Sequence, residues 1–228
     1  MASEAVQLVL PISWALPRDA NGFVVSSCNE YAVNWLEKWP FEIRENFVCL
    51  LGEKGAGKTH LATIWATRLN ADIIDPRRGI LDRWFGASGD DLDQKFFVLD
   101  DADSLNDDIL LFYIYNTIKA KNAFLLMTAR TYPRNWEVRL NDVKSRIATM
   151  SVVRIQKPDE VALPSIITKM LHQRGIVVGE DVAQYVSNRI ERSYESINYW
   201  VNTIDSRLAA TRSKISLKAI RQILTIND

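Results

Sequence analysis

Short apolar runs alternate with helical patterns along the first two thirds of the chain. Five of these runs have the length of buried strands, and the first ends in a glycine-rich turn. Strands that alternate with helices predict an α/β fold, in which a parallel sheet is covered by helices on both faces. The predicted strands are Phe47–Leu51, Ala71–Ile74, Phe96–Leu99, Ala123–Met127 and Val152–Ile155, and the clearest helices among them are Thr59–Leu69 and Ile109–Ile118.

After Pro158 the pattern changes to helices only. Three segments carry apolar residues at helical spacing, and Ser216 has the side chain of an N-cap for a last helix. We therefore predict an N-terminal segment (residues 1–20), an α/β domain (21–157) and a small all-helical lid domain (158–228). The three helical segments are Val161–Arg174, Val182–Ile190 and Ile197–Leu208.

The composition narrows the class of protein. Lys plus Arg and Asp plus Glu number 28 each, so the formal net charge is zero. A protein whose main task is to bind DNA phosphates usually has a basic excess, and a local basic face is the remaining alternative. No apolar stretch reaches the roughly 18 residues of a membrane span, so we expect no membrane partner. Cys28 and Cys49 form neither a metal spacing nor a disulfide framework, which suits a cytoplasmic location, and Cys49 is predicted to be buried.

A phosphate-binding motif follows the first predicted strand. Residues 52–59 fit G-x-x-x-x-G-K-[ST] at every position, between a strand and a helix. The glycines let successive backbone N–H groups surround an anion. Lys58 is predicted to reach the β- and γ-phosphates, and Thr59 to place its hydroxyl on Mg²⁺. The strand–loop–helix context disfavours the alternative of a chance glycine turn. The predicted nucleotide-binding residues here are Gly52, Glu53, Lys54, Gly55, Ala56, Gly57, Lys58, Thr59 and His60, although an isolated histidine such as His60 is more typical of a structural role.

Two acids, Asp100 and Asp101, directly follow the apolar run Phe96–Leu99. A carboxylate at the end of a buried strand can hold Mg²⁺ together with a P-loop threonine, so Asp100 is the predicted metal partner. Asp101 is the candidate for orienting or deprotonating an attacking water. An ordinary strand-end turn with solvated acids is the alternative, and the neighbouring P-loop motif disfavours it.

Three further polar residues complete a recognisable set. Thr128 follows the fourth predicted strand, Arg146 precedes the fifth, and Arg192 is predicted to open a helix of the C-terminal region. A lone arginine is usually a solvated surface residue, so the assignment of Arg146 or Arg192 to a functional site depends on the other motifs.

With these residues in view, the chain resembles the AAA+ ATPases of the DnaA-related family. The resemblance covers nearly the whole chain and rests on the P-loop, Asp100-Asp101, the stretch Thr128–Pro133, the box Lys144–Arg146 and the helical lid. It implies binding of ADP or ATP with Mg²⁺. It also implies that Phe23, Val24 and Val25, with Asn29 nearby, hold adenine. The implied catalytic residues are Asp101, Thr128 as the sensor 1 region and Arg146 as an arginine finger acting in trans, with Arg192 as the sensor 2 arginine.

The resemblance also implies a partner. The family's initiator continues beyond its lid into a helix-turn-helix domain, whereas this sequence stops at Asp228 after the last predicted lid helix. The segment between the second and third strands is short, so we expect the initiator's single-strand-DNA helices to be reduced. This favours a truncated regulatory member of the family that promotes hydrolysis of ATP bound to DnaA. Self-association into a homo-oligomer stays open.

A short segment near the N-terminus indicates a second partner. Residues 7–12 resemble the QL-x-LP-L peptide by which many proteins bind the sliding clamp, the β subunit of DNA polymerase III. In such an extended peptide Pro11 fixes φ, Leu10 and Ile12 are apolar anchors, and Gln7 offers an amide. The alternative is a strand that packs back onto its own domain. The predicted clamp-binding residues are Gln7, Leu8, Leu10, Pro11 and Ile12, through which the chain would meet DNA indirectly.

Two departures from the family pattern suggest slow intrinsic hydrolysis. Ala129 stands where many AAA+ proteins have asparagine, and Asp101 where glutamate is common. We therefore expect a nucleotide-bound regulator more than a motor. The principal alternative is an AAA+ helicase loader or another DNA-engaging ATPase related to DnaA. A P-loop kinase of small molecules would share residues 52–59 but would have no use for a helical lid with an arginine finger ahead of it.

Overall fold

A computed structural model describes residues 23–76 and 95–211, with only the backbone for 208–211. The predicted clamp-binding segment, the segment between the second and third strands from residue 77 to 94, and the helix predicted from Ser216 lie outside the described residues. In chain order the elements are α1 (Glu30–Lys38), β1 (Phe47–Leu51), α2 (Lys58–Leu69), β2 (Asp72–Ile73), β3 (Phe96–Leu99), α3 (Asp108–Ala120), β4 (Phe124–Ala129), α4 (Asn141–Ala148), β5 (Ser151–Arg154), α5 (Ala162–His172), α6 (Glu180–Ser187) and α7 (Tyr194–Thr211), with short 3₁₀ turns at Ala102–Ser104 and Pro133–Asn135.

The five strands form one parallel sheet in the order β2-β3-β4-β1-β5. β1 lies between β4 and β5, so Leu51 is level with Ala129 on one side and Arg154 on the other. Because all strands run the same way, the residues that follow β1, β3 and β4 meet at one edge of the sheet. This confirms the predicted parallel α/β fold.

Both faces of the sheet are covered. Val48 and Leu50 of β1 belong to one core, which includes α1 and α2, while Cys49 belongs to the other, which includes α3 and α4. Successive strand residues point to opposite faces, so a strand buried on both faces is apolar throughout. Cys49 is fully buried, as predicted.

Element boundaries differ from the predictions in two places that matter. β2 has two residues instead of four, and both are exposed. Thr128 lies inside β4 and does not follow it, because Thr128 and Ala129 continue the parallel pairing with Leu50 and Leu51. The sensor position is therefore held by the sheet itself.

Only helices follow β5 in the described part of the chain, as the sequence predicted. They pack on the same core as α1 and α2, to which Ile166, Ile197 and Val201 contribute. The last described helix, α7, begins at Tyr194, three residues before the start predicted at Ile197, because Ser193 Oγ accepts a hydrogen bond of 3.1 Å from the N–H of Ser196. This is the geometry of an N-cap. No helix in the described ranges is long and apolar enough to cross a membrane.

Candidate functional site

The predicted phosphate-binding loop connects β1 to α2 at the carboxyl edge of the sheet. Gly55 and Gly57 have φ angles of 80° and 85°, which residues with a Cβ rarely adopt. Gly57 is the N-cap of α2 and provides no side-chain cap. The positive end of the helix dipole therefore faces the loop, which is the backbone arrangement that binds phosphate.

Three predicted site residues meet at one carboxylate. Thr59 Oγ1 lies 2.9 and 3.1 Å from the two oxygens of Asp100, and Thr128 Oγ1 donates a hydrogen bond of 2.5 Å to Oδ1 of the same residue. Hydroxyl and carboxylate oxygens are the donor atoms that Mg²⁺ prefers. The pair predicted to hold the metal is thus assembled, with Thr128 supporting it.

Lys58 is buried in the loop with 6% of its surface exposed. Its Nζ donates a hydrogen bond of 3.0 Å to the carbonyl oxygen of Glu53. Burial lowers the pKa of the Lys58 ammonium group, and the negative charge of Asp101 opposes that shift. A buried ammonium group with one hydrogen bond has two further N–H groups to donate, which suits a phosphate ligand.

Asp101 occupies a left-handed backbone conformation, with φ at 49°. Its N–H donates a hydrogen bond of 2.9 Å to Thr128 Oγ1, and its carboxylate lies 3.7 Å from the guanidinium group of Arg130. Thr128 therefore links both acids of the pair. The side chain of Asp101 stays partly exposed at the sheet edge, where a water-orienting group would be needed.

Asp103 is a structural member of the site that the sequence reasoning missed. Its Oδ2 accepts hydrogen bonds from the backbone N–H groups of Arg130 and Thr131, at 2.8 and 3.0 Å, and from the Thr131 hydroxyl. It thereby fixes the turn after β4 against the turn after β3. The only signal in the sequence was a third acid after Asp100 and Asp101.

An open cleft lies beside the loop. Phe23 forms one wall and contacts His60 edge to face, with ring centroids 5.3 Å apart. A Cβ added to Gly57 would lie 3.1 Å from the Phe23 ring, so the ring lies directly against the loop. The cleft is lined by Phe23 and Val24, two of the residues implied to hold adenine, and by His60, Ser26, Ile166, Met170, Tyr194 and Asn198.

Asn29 shapes this wall from within. Its Nδ2 donates a hydrogen bond of 2.8 Å to the carbonyl oxygen of Val24, and its Oδ1 accepts one of 2.9 Å from the N–H of Ser26. These bonds use the amide to fold the segment 23–29 against the cleft. Lys169 of α5 adds a hydrogen bond to the carbonyl oxygen of Val25 from the lid side.

Buried polar atoms without partners cluster around the cleft. Tyr194 and Ser26 line it, and their hydroxyl oxygens, like Oε2 of Glu53, make no hydrogen bond of good geometry within the described residues. Burial raises the pKa of the Tyr194 phenol, and the nearby Cys28 thiol and Glu53 carboxylate add to the shift. Buried polar atoms normally have partners, so their convergence on one cleft fits a polar ligand such as a nucleotide.

The helices after β5 contact the loop through Glu195 and Asn198, two residues that the sequence analysis did not single out. Lys54 and Glu195 form an ion pair with 2.6 Å between Nζ and Oε1. Asn198 Nδ2 donates hydrogen bonds to the carbonyl oxygens of Gly55, at 3.2 Å, and of Tyr194, at 2.8 Å. The first turn of α7 is thus the part of the lid that meets the P-loop.

Arg192 has a different location from the one expected. It precedes α7 by two residues and does not open the helix, and it is not among the residues that line the cleft. Its guanidinium group forms an exposed ion pair with Glu160, at 2.9 Å. Glu195 and Asn198 of α7, and not Arg192, contact the loop.

Arg146 lies at the opposite edge of the sheet from the P-loop. It borders a hollow together with Asn46 and Phe47, at the start of β1, and with Thr149 and Met150, which precede β5. Its guanidinium group pairs with Asp142 at 2.8 Å and donates a hydrogen bond of 2.6 Å to Oδ1 of Asn116. The length of β1, about 13 Å at 3.3 Å per residue, therefore separates Arg146 from its own loop.

Comparisons with known proteins establish the fold. No family model matches the chain. An uncharacterized protein of Haemophilus influenzae is 24% identical over 232 residues, which cover 96% of this chain and 99% of that protein. Domain III of the Thermotoga maritima replication initiation protein DnaA superimposes with a TM-score of 0.73 at 19% identity, covering 91% of this chain and 95% of that one.

Two other solved structures share the architecture. AMPPCP-bound DnaA from Aquifex aeolicus gives a TM-score of 0.64 at 18% identity over 81% of this chain and 63% of that one. The Thermotoga maritima RuvB Holliday junction branch migration motor gives 0.66 at 17% identity over 92% and 72%. DnaA and RuvB are AAA+ ATPases. The described part of this chain therefore has the fold of an AAA+ α/β core, which confirms the predicted fold class.

Proposed function

We propose that this chain is an adenine-nucleotide-binding AAA+ protein that regulates the initiation of chromosome replication. The observation that carries the first part is the convergence of Thr59, Asp100 and Thr128 beside a complete P-loop. The similarity to AMPPCP-bound DnaA supports an adenine nucleotide as the ligand. Whether ADP or ATP is the working form is a question for the binding experiment below.

The residues of the cleft have separate tasks in this proposal. Thr59 and Asp100 hold Mg²⁺, which when bound neutralises negative charge on the phosphates. Lys58, which here donates to the carbonyl oxygen of Glu53, would donate to the β- and γ-phosphates of a bound nucleotide. Thr128 keeps the Asp100 carboxylate oriented, and Asp101 positions water at the edge of the sheet.

The base is held at the other end of the cleft. Phe23 and Val24 provide apolar contact, and the hydroxyl groups of Tyr194 and Ser26, which make no hydrogen bond of good geometry within the described residues, can donate to or accept from the edge of a purine. Each hydroxyl is both a donor and an acceptor, so the pair can satisfy an adenine edge, which carries an amino donor beside a ring-nitrogen acceptor. Arg192 would join the site only if the lid turned from its present position.

The regulatory part of the proposal concerns a partner ATPase. Arg146 lies too far from its own P-loop to act there, so a catalytic role requires a second molecule in a head-to-tail contact. We infer that the partner is DnaA and that Arg146 acts as a finger on the ATP that DnaA binds. Fingers of this kind contribute roughly 10³–10⁵ in rate, which corresponds to about 4–7 kcal/mol.

The clamp-binding segment connects this activity to replication. Residues Gln7, Leu8, Leu10, Pro11 and Ile12 would bring the chain to the sliding clamp on newly copied DNA. Inactivation of DnaA would then follow synthesis and prevent re-initiation, so the chain would be a regulator resembling Hda. This step rests on the sequence motif.

The first experiment measures nucleotide binding. Isothermal titration of the purified protein with ADP and with ATP, each with Mg²⁺, should show uptake by the wild type and a loss of at least about tenfold in affinity in Lys58→Met. Equal affinity in the two proteins would contradict the assignment of the P-loop.

The second experiment measures hydrolysis of DnaA-bound ATP in the presence of clamp loaded on DNA. Arg146→Ala should abolish stimulation, whereas Lys144→Ala, an exposed change on the same helix, should retain it. Full stimulation by Arg146→Ala would remove the finger assignment. A clamp pull-down with the double variant Leu10→Ala and Ile12→Ala should lose the clamp, and unchanged retention would remove that partner.

A DNA-engaging ATPase, such as a helicase loader, is the second candidate function. The observation that favours it is the similarity to the RuvB branch migration motor, alongside DnaA bound to AMPPCP and single-stranded DNA. The zero net charge of the chain argues against it. Direct binding of single-stranded DNA that weakens steeply with salt, without clamp, would favour this candidate over the regulator.

A further inference from the structure

A second concave site lies at the amino edge of the sheet, opposite the P-loop. It has an open volume of about 590 Å³ and is bordered by the start of β1, the end of α3 and the turn between α4 and β5. Three cationic side chains line it, Arg44, Lys119 and Arg146, against a single acidic one, Glu45. We call this site the cationic pocket.

Two of the three cations have no side-chain partner among the residues that the structure describes. The side chains of Arg44 and Lys119 make no hydrogen bond or ion pair with any described residue. Arg146 differs, since Asp142 and Asn116 hold its guanidinium group. Surface lysines and arginines are often solvated, but here two unpaired cations share one hollow with a third that is already oriented.

The wall of the pocket is rigid. Tyr115 stacks on Phe47 with ring centroids 4.1 Å apart and an angle of 8° between the planes. Arg146 lies over the Tyr115 ring, 5.3 Å from its centroid. The aromatic pair fixes Arg146 from below, while Asp142 fixes it from the side, so the pocket offers a preorganised cation flanked by two adaptable ones.

We propose that the cationic pocket binds the phosphate chain of a nucleoside triphosphate or other polyphosphate, with Arg44 and Lys119 acting beside Arg146. This inference rests on the proposed function and deepens it, because a head-to-tail neighbour would present its P-loop edge to this edge of the sheet. Arginine and lysine form charge-assisted hydrogen bonds with phosphate oxygens. A compact hollow with Glu45 in its wall suits one short anion better than a continuous nucleic-acid backbone.

The polyphosphate has two sources, and two assays distinguish them. In the first, tripolyphosphate is titrated into the Lys58→Met protein, which lacks the P-loop lysine, and into the same protein with Arg44→Gln and Lys119→Gln. In the second, the Arg44→Gln and Lys119→Gln variants of the otherwise unchanged protein are compared for stimulation of DnaA's ATP hydrolysis. Lys38→Gln, an exposed cation on α1, is the matched control in both.

A lost charge-assisted hydrogen bond corresponds to a decrease of at least about tenfold. Such a decrease in both assays, or in the DnaA assay alone, identifies a nucleotide presented by the partner. A decrease in the tripolyphosphate assay alone identifies a free polyphosphate. Lys119→Arg and Arg44→Lys should retain the activity, and thermal melting should show that all variants fold, since both side chains are exposed.

The inference is overturned if the Arg44→Gln and Lys119→Gln variants behave like the control in both assays. If Arg146→Ala abolishes stimulation of DnaA while Arg44→Gln and Lys119→Gln leave it intact, and tripolyphosphate binding is equal as well, the cationic pocket is rejected and the finger role of Arg146 stands. If the wild type fails to stimulate DnaA but the pocket variants lose tripolyphosphate, the regulatory function is rejected and the pocket stands.

Discussion

Thr128 and Asp100 are joined by a hydrogen bond of 2.5 Å from Oγ1 to Oδ1. They are 28 residues apart in the sequence and meet because β3 and β4 are neighbours in a parallel sheet. The same threonine oxygen accepts the N–H of Asp101. One buried hydroxyl group therefore orients the carboxylate of Asp100, the predicted metal ligand, and the backbone of Asp101, the predicted water-positioning acid.

The first prediction tests this hydroxyl group. Thr128→Val keeps the shape of the side chain but leaves the Asp100 carboxylate and the Asp101 N–H without their shared partner. We expect a loss of about 1–3 kcal/mol in the free energy of unfolding, measured by urea denaturation. We also expect Mg²⁺ to increase nucleotide affinity by a smaller factor than in the wild type, measured by titration. Thr128→Ser restores the hydroxyl and should recover most of both. Equal behaviour of the valine and serine variants would show that the bond has no such role.

The second prediction concerns the contact between the lid and the P-loop. Gly55 has a φ of 80°, and a Cβ there would lie 2.8 Å from Nδ2 of Asn198. Gly175 has a φ of 73° but nothing within 4 Å of an added Cβ, so it is a matched control for backbone strain. Both alanine variants should lose about 1–2 kcal/mol of stability. Only Gly55→Ala should lose nucleotide affinity in the titration, by about tenfold or more; a similar loss in Gly175→Ala would refute the local explanation.

Sequence patterns predicted the core of the site because that part depends on local order. A buried strand, a glycine loop and a helix are consecutive in the chain, so the bounds of β1 and β3 and the placement of Lys58 and Thr59 followed from spacing alone. The position of Arg146 at the amino edge of the sheet also follows from the direction of the strands, because a residue just before a parallel strand lies at the amino end of that strand.

The lid residues could not be assigned in this way. In a helix neighbouring side chains point about 100° apart, a consequence of 3.6 residues per turn, so the residues that meet the P-loop depend on how the helix packs against it. Glu195 and Asn198 of α7 contact the loop, whereas Arg192, which precedes the helix, pairs with Glu160. The burial of the Tyr194 hydroxyl group beside the cleft is a product of tertiary packing, for which the sequence contains no signal.

The third prediction follows from the lowered pKa of Lys58. Between the pKa of the folded state and the ordinary value of 10.5 the unfolded chain binds more protons, so the free energy of unfolding should rise with pH there. Below the folded-state pKa the full penalty of burying the charge is present. The stability of the wild type relative to Lys58→Met should therefore increase from pH 7 to pH 10 in urea denaturation. A constant difference between the two proteins would indicate that burial does not shift the pKa.

The fourth prediction concerns the buried thiol of Cys49. Burial raises its pKa to about 12, so roughly one molecule in ten thousand carries the thiolate at pH 8, and the thiolate is the reactive form. Iodoacetamide at pH 8 should leave Cys49 unmodified in the folded protein and label it in urea, as read by peptide mass spectrometry. Rapid labelling of Cys49 without denaturant would show that this part of the sheet opens readily.

The fifth prediction separates the two consequences of the Tyr194 hydroxyl. In the protein without nucleotide, a buried hydroxyl group that lacks a well-placed hydrogen-bond partner lowers the stability of the fold. Tyr194→Phe should therefore leave the free energy of unfolding unchanged or raise it by about 1 kcal/mol. If the hydroxyl contacts the base, the same variant should bind ADP or ATP about tenfold more weakly. Removal of this one oxygen atom is therefore expected to weaken nucleotide binding without lowering the free energy of unfolding.

The control for this prediction is Tyr199→Phe, because Tyr199 is an exposed residue of the same helix. It should change neither stability nor nucleotide affinity. A parallel decrease of both quantities in Tyr194→Phe would mean that the hydroxyl already has a structural partner, with the nearby Cys28 thiol as the first candidate. Unchanged affinity with raised stability would instead place the base elsewhere in the cleft, and the Ser26 hydroxyl would then be the next group to remove, by Ser26→Ala.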